Sequence, residues 1–284
     1  MLGERPQIMG IVNASPDSFS EIGEDADLDV RVERARVLLA QGADIIDVGG
    51  ESAITRRAPV AVDVEIARVV PLIARLTSEL DAVVSVDTYK PAVARAALAA
   101  GACIVNDVSG LRDPELAAAC ASTGAALVLM HTRAAPKQRL QDPALYDDVF
   151  ADVCAFLRER MRVARAHGVR DEQILLDPGP DFAKTPAQTI AVLRRFDELH
   201  ELGRPLLLAV SRKDFVGALT GRGPRERLAG TLAAIGFGVR AGAHVLRVHD
   251  VEQVTQFLRV GAALRGELEV DPELSLAEAL RHAR

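Results

Sequence analysis

Tryptophan is absent from this chain and tyrosine occurs twice, so with eight phenylalanines only ten of 284 residues are aromatic. The core must therefore be aliphatic. Apolar residues make up 49% of the chain, mostly Val, Leu, Ile and Ala, which suits a parallel sheet covered by helices on its faces. Cysteine is also scarce. Cys103, Cys120 and Cys154 are widely spaced in apolar or helical context, which argues against a disulfide framework or a zinc cluster and for reduced thiols in a cytoplasmic protein. Positive charge is concentrated nowhere and the net charge is −6, so neither nucleic acid nor an anionic membrane is expected as a partner. No apolar run approaches the ~20 residues that span a bilayer, and Met1 to Pro6 is too short and polar for a secretory h-region. The expected counterpart is a small molecule.

What the chain does have is repetition. Short apolar runs occur at Gln7 to Val12, Ala43 to Val48, Ala82 to Val86, Cys103 to Val108, Ala126 to Met130, Ile174 to Leu176, Leu206 to Val210 and His244 to Val248. Between them, apolar residues recur at spacings of three and four, as in Val30, Val37 and Leu38 or Ile66, Val69, Val70 and Ile73, so each strand is expected to lead into an amphipathic helix. Four junctions, "QGADII", "AGACIV", "TGAALV" and "AGAHVL", place a glycine where a helix ends in a left-handed cap. Pro91 and Pro186 fit first helical turns. A βα unit repeated eight times closes most economically as an α/β (β/α)8 TIM barrel, a single domain over residues 1–284 in which 266–284 is an extension able to add a short helix or to fray. An open doubly wound sheet is the rival fold. It would usually carry a Gly-rich phosphate loop after the first strand, and "NASPDSFS" has no glycine.

A barrel of this kind builds its site at the C-terminal strand ends. In order these ends offer Asn13; Asp47; Asp87 and Thr88; Asn106 and Asp107; His131; Asp177; Ser211, Arg212 and Lys213; Arg247 and His249. One such carboxylate often only caps the next helix, but eight consecutive polar ends are more than eight caps. Inward carboxylates and amides suit a flat heterocycle rich in N–H groups, and Lys213, Arg247 and His249 suit an anion. Met130 and Phe182 are equally consistent with ordinary core packing and with apolar walls.

At this point "MGIVNASPDSFS", "DVGGES", "SVDTYKP", "VNDVSG", "LMH", "LDPG", "AVSRKDFVG" and "LRVHDV", in this order across residues 9 to 250, resemble the segments of the dihydropteroate synthase family. The resemblance implies a TIM barrel that joins 4-aminobenzoate to 6-hydroxymethyl-7,8-dihydropterin diphosphate and releases pyrophosphate. It implies Mg2+ as cofactor, with Asn13 meeting the metal and the diphosphate beside Arg247 and His249. Asp87, Asn106, Asp177 and Lys213 resemble the pterin binders, with Met130 and Phe182 as walls. Asp17 and Phe19 resemble residues of a first loop that closes over the site and shields the reaction, with Asp87, Lys213 and Arg247 completing the catalytic set. A cytoplasmic homodimer that sulfonamides target is implied as well.

The chain departs from the family in "GGESAITRRAP", where Thr-Arg-Pro-Gly usually follows "GGES". Aligned without a gap, Ala53 and Ile54 replace the threonine and arginine; with a slip of two, Thr55 and Arg56 restore them. The slip is favoured, because the distance to Pro59 is unchanged and loops of this kind slide. Thr55, Arg56 and Ser211 are then the expected arylamine side. In "DPGPDFAK", Asp181 and Ala183 stand where glycines are common, while Phe182 and Lys184 persist. A metal-dependent hydrolase built on His131, Asp177 and His249 is a rival reading, opposed by Asn13 in place of a first-strand His-x-His pair. A pterin-binding paralogue without synthase activity is another, opposed by the intact "SRK" and "RVH" segments.

Overall fold

The computed structural model describes residues 5–14, 28–51 and 58–281. Eight parallel strands alternate with helices: β1 (Gln7–Asn13), α1 (Leu28–Ala40), β2 (Ile45–Gly49), α2 (Val62–Leu80), β3 (Val84–Asp87), α3 (Pro91–Ala99), β4 (Ile104–Asp107), α4 (Glu115–Thr123), β5 (Ala126–Met130), α5 (Val149–Ala166), β6 (Ile174–Asp177), α6 (Pro186–Arg194), β7 (Leu207–Leu208), α7 (Asp214–Thr220), α8 (Leu228–Arg240), β8 (Val245–Val248) and α9 (Val251–Leu264). The order around the sheet is β6-β5-β4-β3-β2-β1-β8-β7. A single bridge from Leu176 to Leu206 closes the ring, beside the Leu176 amide donating to Pro205 O at 2.9 Å. The chain is one TIM barrel.

The alternation of side chains along each strand explains two separate cores. Met9, Ile45, Ile104, Val128, Leu175, Leu207 and Val245 fill the barrel interior. Their neighbours in sequence, such as Ile8, Ile46, Val105, Leu127, Leu176 and Leu246, face the helices and pack with them in the larger outer core. Both layers are mainly aliphatic, as the shortage of aromatics requires, and the buried aromatics Phe150, Phe196 and Phe215 all lie in the outer one. The four expected cap glycines, Gly42, Gly101, Gly124 and Gly242, all have positive φ, from 77° to 112°, and Pro91 and Pro186 open α3 and α6.

Three expectations need correction. In α1 the buried stripe is Val32, Ala35 and Leu38, while Val30 and Val37 face solvent. A face set by position on the helix, not by residue type, decides which valines are covered. Strand β7 is shorter than the apolar run Leu206 to Val210, because Pro205 has no N–H for the ladder and the chain turns out at Ser211 and Arg212. It is followed by two helices, since Gly221 in the left-handed region (φ 68°) ends α7 and Pro224 opens a separate turn. In the extension, Glu278–Leu280 forms one 3-10 turn. Among the described residues no helix is long and apolar enough to cross a membrane, and the three cysteines are unpaired.

Candidate active site

The same alternation sorts the polar strand ends. Asn13, Gly49, Asp87 and Asn106 are successive register partners across β1 to β4. Two residues down, Asp47 pairs in register with Ser85, inside the barrel. Arg247 joins the two levels: its Nε donates to Asp47 Oδ2 and its Nη2 to Asp87 Oδ2, each at 2.7 Å. Asn106 Nδ2 donates to the same Asp47 oxygen at 3.3 Å. Asp47 is fully buried, and its Oδ1 has no hydrogen-bond partner among the described residues. Burial raises the Asp87 carboxyl above the ordinary range, against the pull of Arg247. About a fifth of the Asp87 side chain remains open, so water at the mouth tempers that rise.

Asp177 ends β6 with one oxygen held by the Gly179 amide at 2.7 Å. Burial raises this carboxyl too, while the Gly179 amide and the positive charge of Lys213 lower it. Lys213, at the start of α7, places its Nζ 4.2 Å from the centroid of Phe182, a cation over an aromatic face. Met130 is buried at the end of β5, one register step from Asp177. A carboxylate, an amide, an ammonium and an aromatic face thus stand around one barrel mouth. On the β7–β8 side, Ser211 Oγ lies 3.0 Å from His249 Nδ1 and accepts from the His249 backbone N–H at 3.2 Å. A hydroxyl carries one O–H and two acceptor lone pairs, so Ser211 can hold the His249 amide and Nδ1 together in either ring tautomer. Burial first, and then Arg247 and Arg212, hold His249 down to about 4, so the ring is neutral near pH 7.

This sequence matches the family described as pterin binding enzyme over residues 9–249. It is 42% identical to the dihydropteroate synthase of Synechocystis sp. over 92% of this chain and 91% of that one. The fold superposes on the dihydropteroate synthase of Clostridium difficile, solved in the presence of pteroic acid, with a TM-score of 0.85 at 41% identity, covering 93% of this chain and 98% of that one. The corresponding protein of Xanthomonas albilineans with 4-aminobenzoic acid gives 0.84 at 41% identity, covering 92% and 93%. The chain belongs to the dihydropteroate synthase family.

Within this dihydropteroate synthase barrel, Asn13, Asp87, Asn106, Met130, Asp177, Phe182, Ser211, Lys213, Arg247 and His249 all gather at the C-terminal strand ends. Ser211 lies against His249, so the expected arylamine and diphosphate sides meet there. Asp17, Phe19, Thr55 and Arg56 lie outside the described residues. Four other strand-end residues turn away from the mouth. Asp107 caps its own turn, accepting from the amides of Ser109 at 2.8 Å and Leu111. Thr88 donates to Glu65 at 2.8 Å, Arg212 pairs with Asp250, and His131 lies between Asp152 and Lys184. Thr88, Asp107 and His131 each follow an inward residue by one, so alternation sends them outward, while Arg212 is turned away by a left-handed turn (φ 57°).

Two features go beyond the sequence reading, which named Asp47 among the strand ends but gave it no role. Asp47 sits two residues before Gly49 in "DVGGES", hence on the same face, and that parity could have placed it inward. The second is the anchor of the altered second loop. Glu51, just before it, accepts from Lys90 Nζ at 2.6 Å, from Tyr89 OH at 3.1 Å and from the Val60 amide at 2.9 Å, and pairs with Lys137 at 3.2 Å. Lys90 also reaches buried Glu65. Both ends of the loop are therefore tied to the barrel rim, whichever register its middle takes.

Proposed function

We propose that this barrel catalyses dihydropteroate synthesis, the condensation of 6-hydroxymethyl-7,8-dihydropterin diphosphate with 4-aminobenzoate in folate biosynthesis. The supporting observation is the inward set Asp87, Asn106 and Asp177 at the barrel mouth with Lys213 over Phe182, on a chain about 40% identical to dihydropteroate synthases over nine-tenths of its length. Relatives were solved with fitting molecules, one in the presence of pteroic acid and another with 4-aminobenzoic acid.

The exocyclic amine and ring N–H groups of a pterin need buried acceptors, which Asp177 and Asn106 supply. Its carbonyl and ring nitrogens need a donor, which Lys213 supplies while Phe182 covers a ring face. The C–O bond to the diphosphate breaks first and its electron pair leaves on oxygen. Arg247 and the N–H of neutral His249 receive the leaving group, and the Asp87 carboxylate stabilises the methylene cation conjugated to the pterin. The arylamine nitrogen then forms the C–N bond and loses a proton. Asp17 and Phe19 shield the cation and the amine, and Thr55, Arg56 and Ser211 face the arylamine.

Mg2+ is the proposed cofactor, and Asn13 would hold it. Asn13 Oδ1 is uncrowded by its register partner, since even a Cβ on Gly49 would stand at an ordinary contact distance of 3.7 Å. Among the described residues no group of three or more His, Cys, Asp or Glu could hold a metal, and a lone amide oxygen suits a cation that takes its other ligands from phosphates and water. When bound, the ion supplies neutralising charge to the diphosphate. The reading includes a cytoplasmic homodimer; exposed Phe237, Val260 and Leu264 on α8 and α9 are apolar surface such a dimer could cover.

The test supplies purified protein with pterin diphosphate and 4-aminobenzoate, with and without Mg2+, and follows pyrophosphate and dihydropteroate. Mg2+-dependent formation of both is expected. Pterin diphosphate binding without product would instead support the non-synthase paralogue.

A further inference from the structure

Lys184 is completely buried on the helix side of the barrel, where the catalytic scheme makes no use of it. Its Nζ lies 2.7 Å from His131 Nδ1, 2.9 Å from Gly179 O and 3.1 Å from Phe182 O, with His131 O at 3.5 Å. His131 Nε2 is 2.8 Å from Asp152 Oδ1. The ring therefore donates from Nε2 and accepts at Nδ1, and three acceptors meet the three N–H bonds of an ammonium.

Two of those acceptors belong to one loop. Gly179, Asp181 and Ala183 have φ of 65°, 65° and 50°, and the two that carry a side chain are in a left-handed region that L-residues disfavour. A loop strained in this way keeps its shape only when its surroundings hold it. What it shapes is the pterin wall: Phe182 beneath Lys213 Nζ, and the Gly179 amide on Asp177. The loop is further fixed by Tyr146 OH donating to Ala183 O at 2.8 Å and by the reciprocal Thr185–Gln188 cap of α6.

We propose that Lys184 is a positioning residue for the pterin pocket, a buried ammonium that clamps the carbonyls of Gly179 and Phe182 and so sets the aromatic wall and the Asp177 acceptor. This rests on the functional reading above. Burial pulls the ammonium down to about 7, opposed first by Asp177, and Nδ1 and the two carbonyls take the place of water around Nζ. Being fully buried, Lys184 offers no surface of its own to a ligand.

The experiment compares wild type, Lys184→Met and Tyr146→Phe by pterin fluorescence titration with pterin diphosphate, by the KM for 4-aminobenzoate at saturating pterin diphosphate, and by thermal melting. Lys184→Met should raise the pterin diphosphate Kd at least about tenfold and leave the 4-aminobenzoate KM within about twofold; Tyr146→Phe, a milder change to the same loop, should raise the Kd about threefold. A lowered melting temperature with an unchanged Kd in Lys184→Met overturns the proposal. If that variant does not fold, an unchanged Kd in Tyr146→Phe overturns it. A wild type that neither binds nor converts pterin diphosphate overturns the functional reading instead, which separates the two failures.

Discussion

Arg247 reaches Asp47 and Asp87 at once, 2.7 Å from each, with the first carboxylate wholly buried and the second at the mouth. The guanidinium is thus held from below by a residue that substrate does not meet. Asp47→Asn keeps the shape and an oxygen but removes the charge that orients Arg247. We expect kcat/KM for pterin diphosphate to fall ~10- to 100-fold, the ~1.5–3 kcal/mol of a charge-assisted hydrogen bond, in a folded protein. Steady-state kinetics beside a melting curve measure this, and unchanged kinetics would make Asp47 a spectator.

Lys213→Ala and Asp177→Ala should each abolish measurable pterin binding, because one removes the half-buried donor over Phe182 and the other an acceptor that no neighbour replaces. Calorimetric titration with pterin diphosphate reads this directly. Unchanged affinity in either variant would mean that the pocket is mapped wrongly.

Gly179→Ala tests the strained loop. A Cβ there would lie 2.1 Å from His131 O at φ +65°, whereas at Gly203, φ +71°, nothing lies within 4 Å. Urea unfolding should show roughly 1 kcal/mol lost in Gly203→Ala and at least ~2–3 kcal/mol more in Gly179→Ala. Equal losses would show that the carbonyl can move aside.

Acid should weaken the fold through His131. Burial, reinforced by the charge of Lys184, holds this ring down to about 3, against 6.5 for a free imidazole. Between those values the unfolded chain binds the extra proton, so the stabilisation is complete above pH 6.5 and is lost as pH falls toward 3. At ~1.36 kcal/mol per unit the loss is on the order of 5 kcal/mol. His249, held to about 4, adds to the loss between pH 6.5 and 4. Urea midpoints at pH 7.5, 6, 5 and 4 should fall less steeply in His131→Gln; an identical slope would assign the acid sensitivity elsewhere.

In the second loop, Arg56→Ala should cut turnover and raise the 4-aminobenzoate KM, with Arg57→Ala close to wild type. The reverse order would favour another register of the loop, and no effect in either would leave both arginines in solvent.

The barrel was legible because its signals are local: aliphatic runs of strand length, glycines at helix ends and prolines at helix starts need no long-range information. The inward residues were legible for a related reason, since polar side chains at eight strand ends are not what a closed aliphatic core would select. What the sequence did not separate was Asn106 from Asp107, or Asp87 from Thr88, because one position along the chain reverses direction while composition stays the same. Asp47 was underrated because its partners, Arg247 and Asn106, are brought to it only when the ring closes. The Lys184 clamp was hidden too: its His131 contact spans 53 positions, and a lysine in a loop normally reads as solvated.

Ring closure also has a mechanical side. Seven of the strand-to-strand joints are ladders, but β6 and β7 meet through one bridge at Leu176 and Leu206. Asp177 stands just past this clasp on one side and Lys213 on the other, so the two halves of the pterin grip are attached to different sides of the hoop's thinnest joint. A bound ring that contacts both would act as a second rivet across it. In the free protein the amides along this seam should exchange with deuterium earlier than those of β1 to β4, and a bound pterin should slow them most.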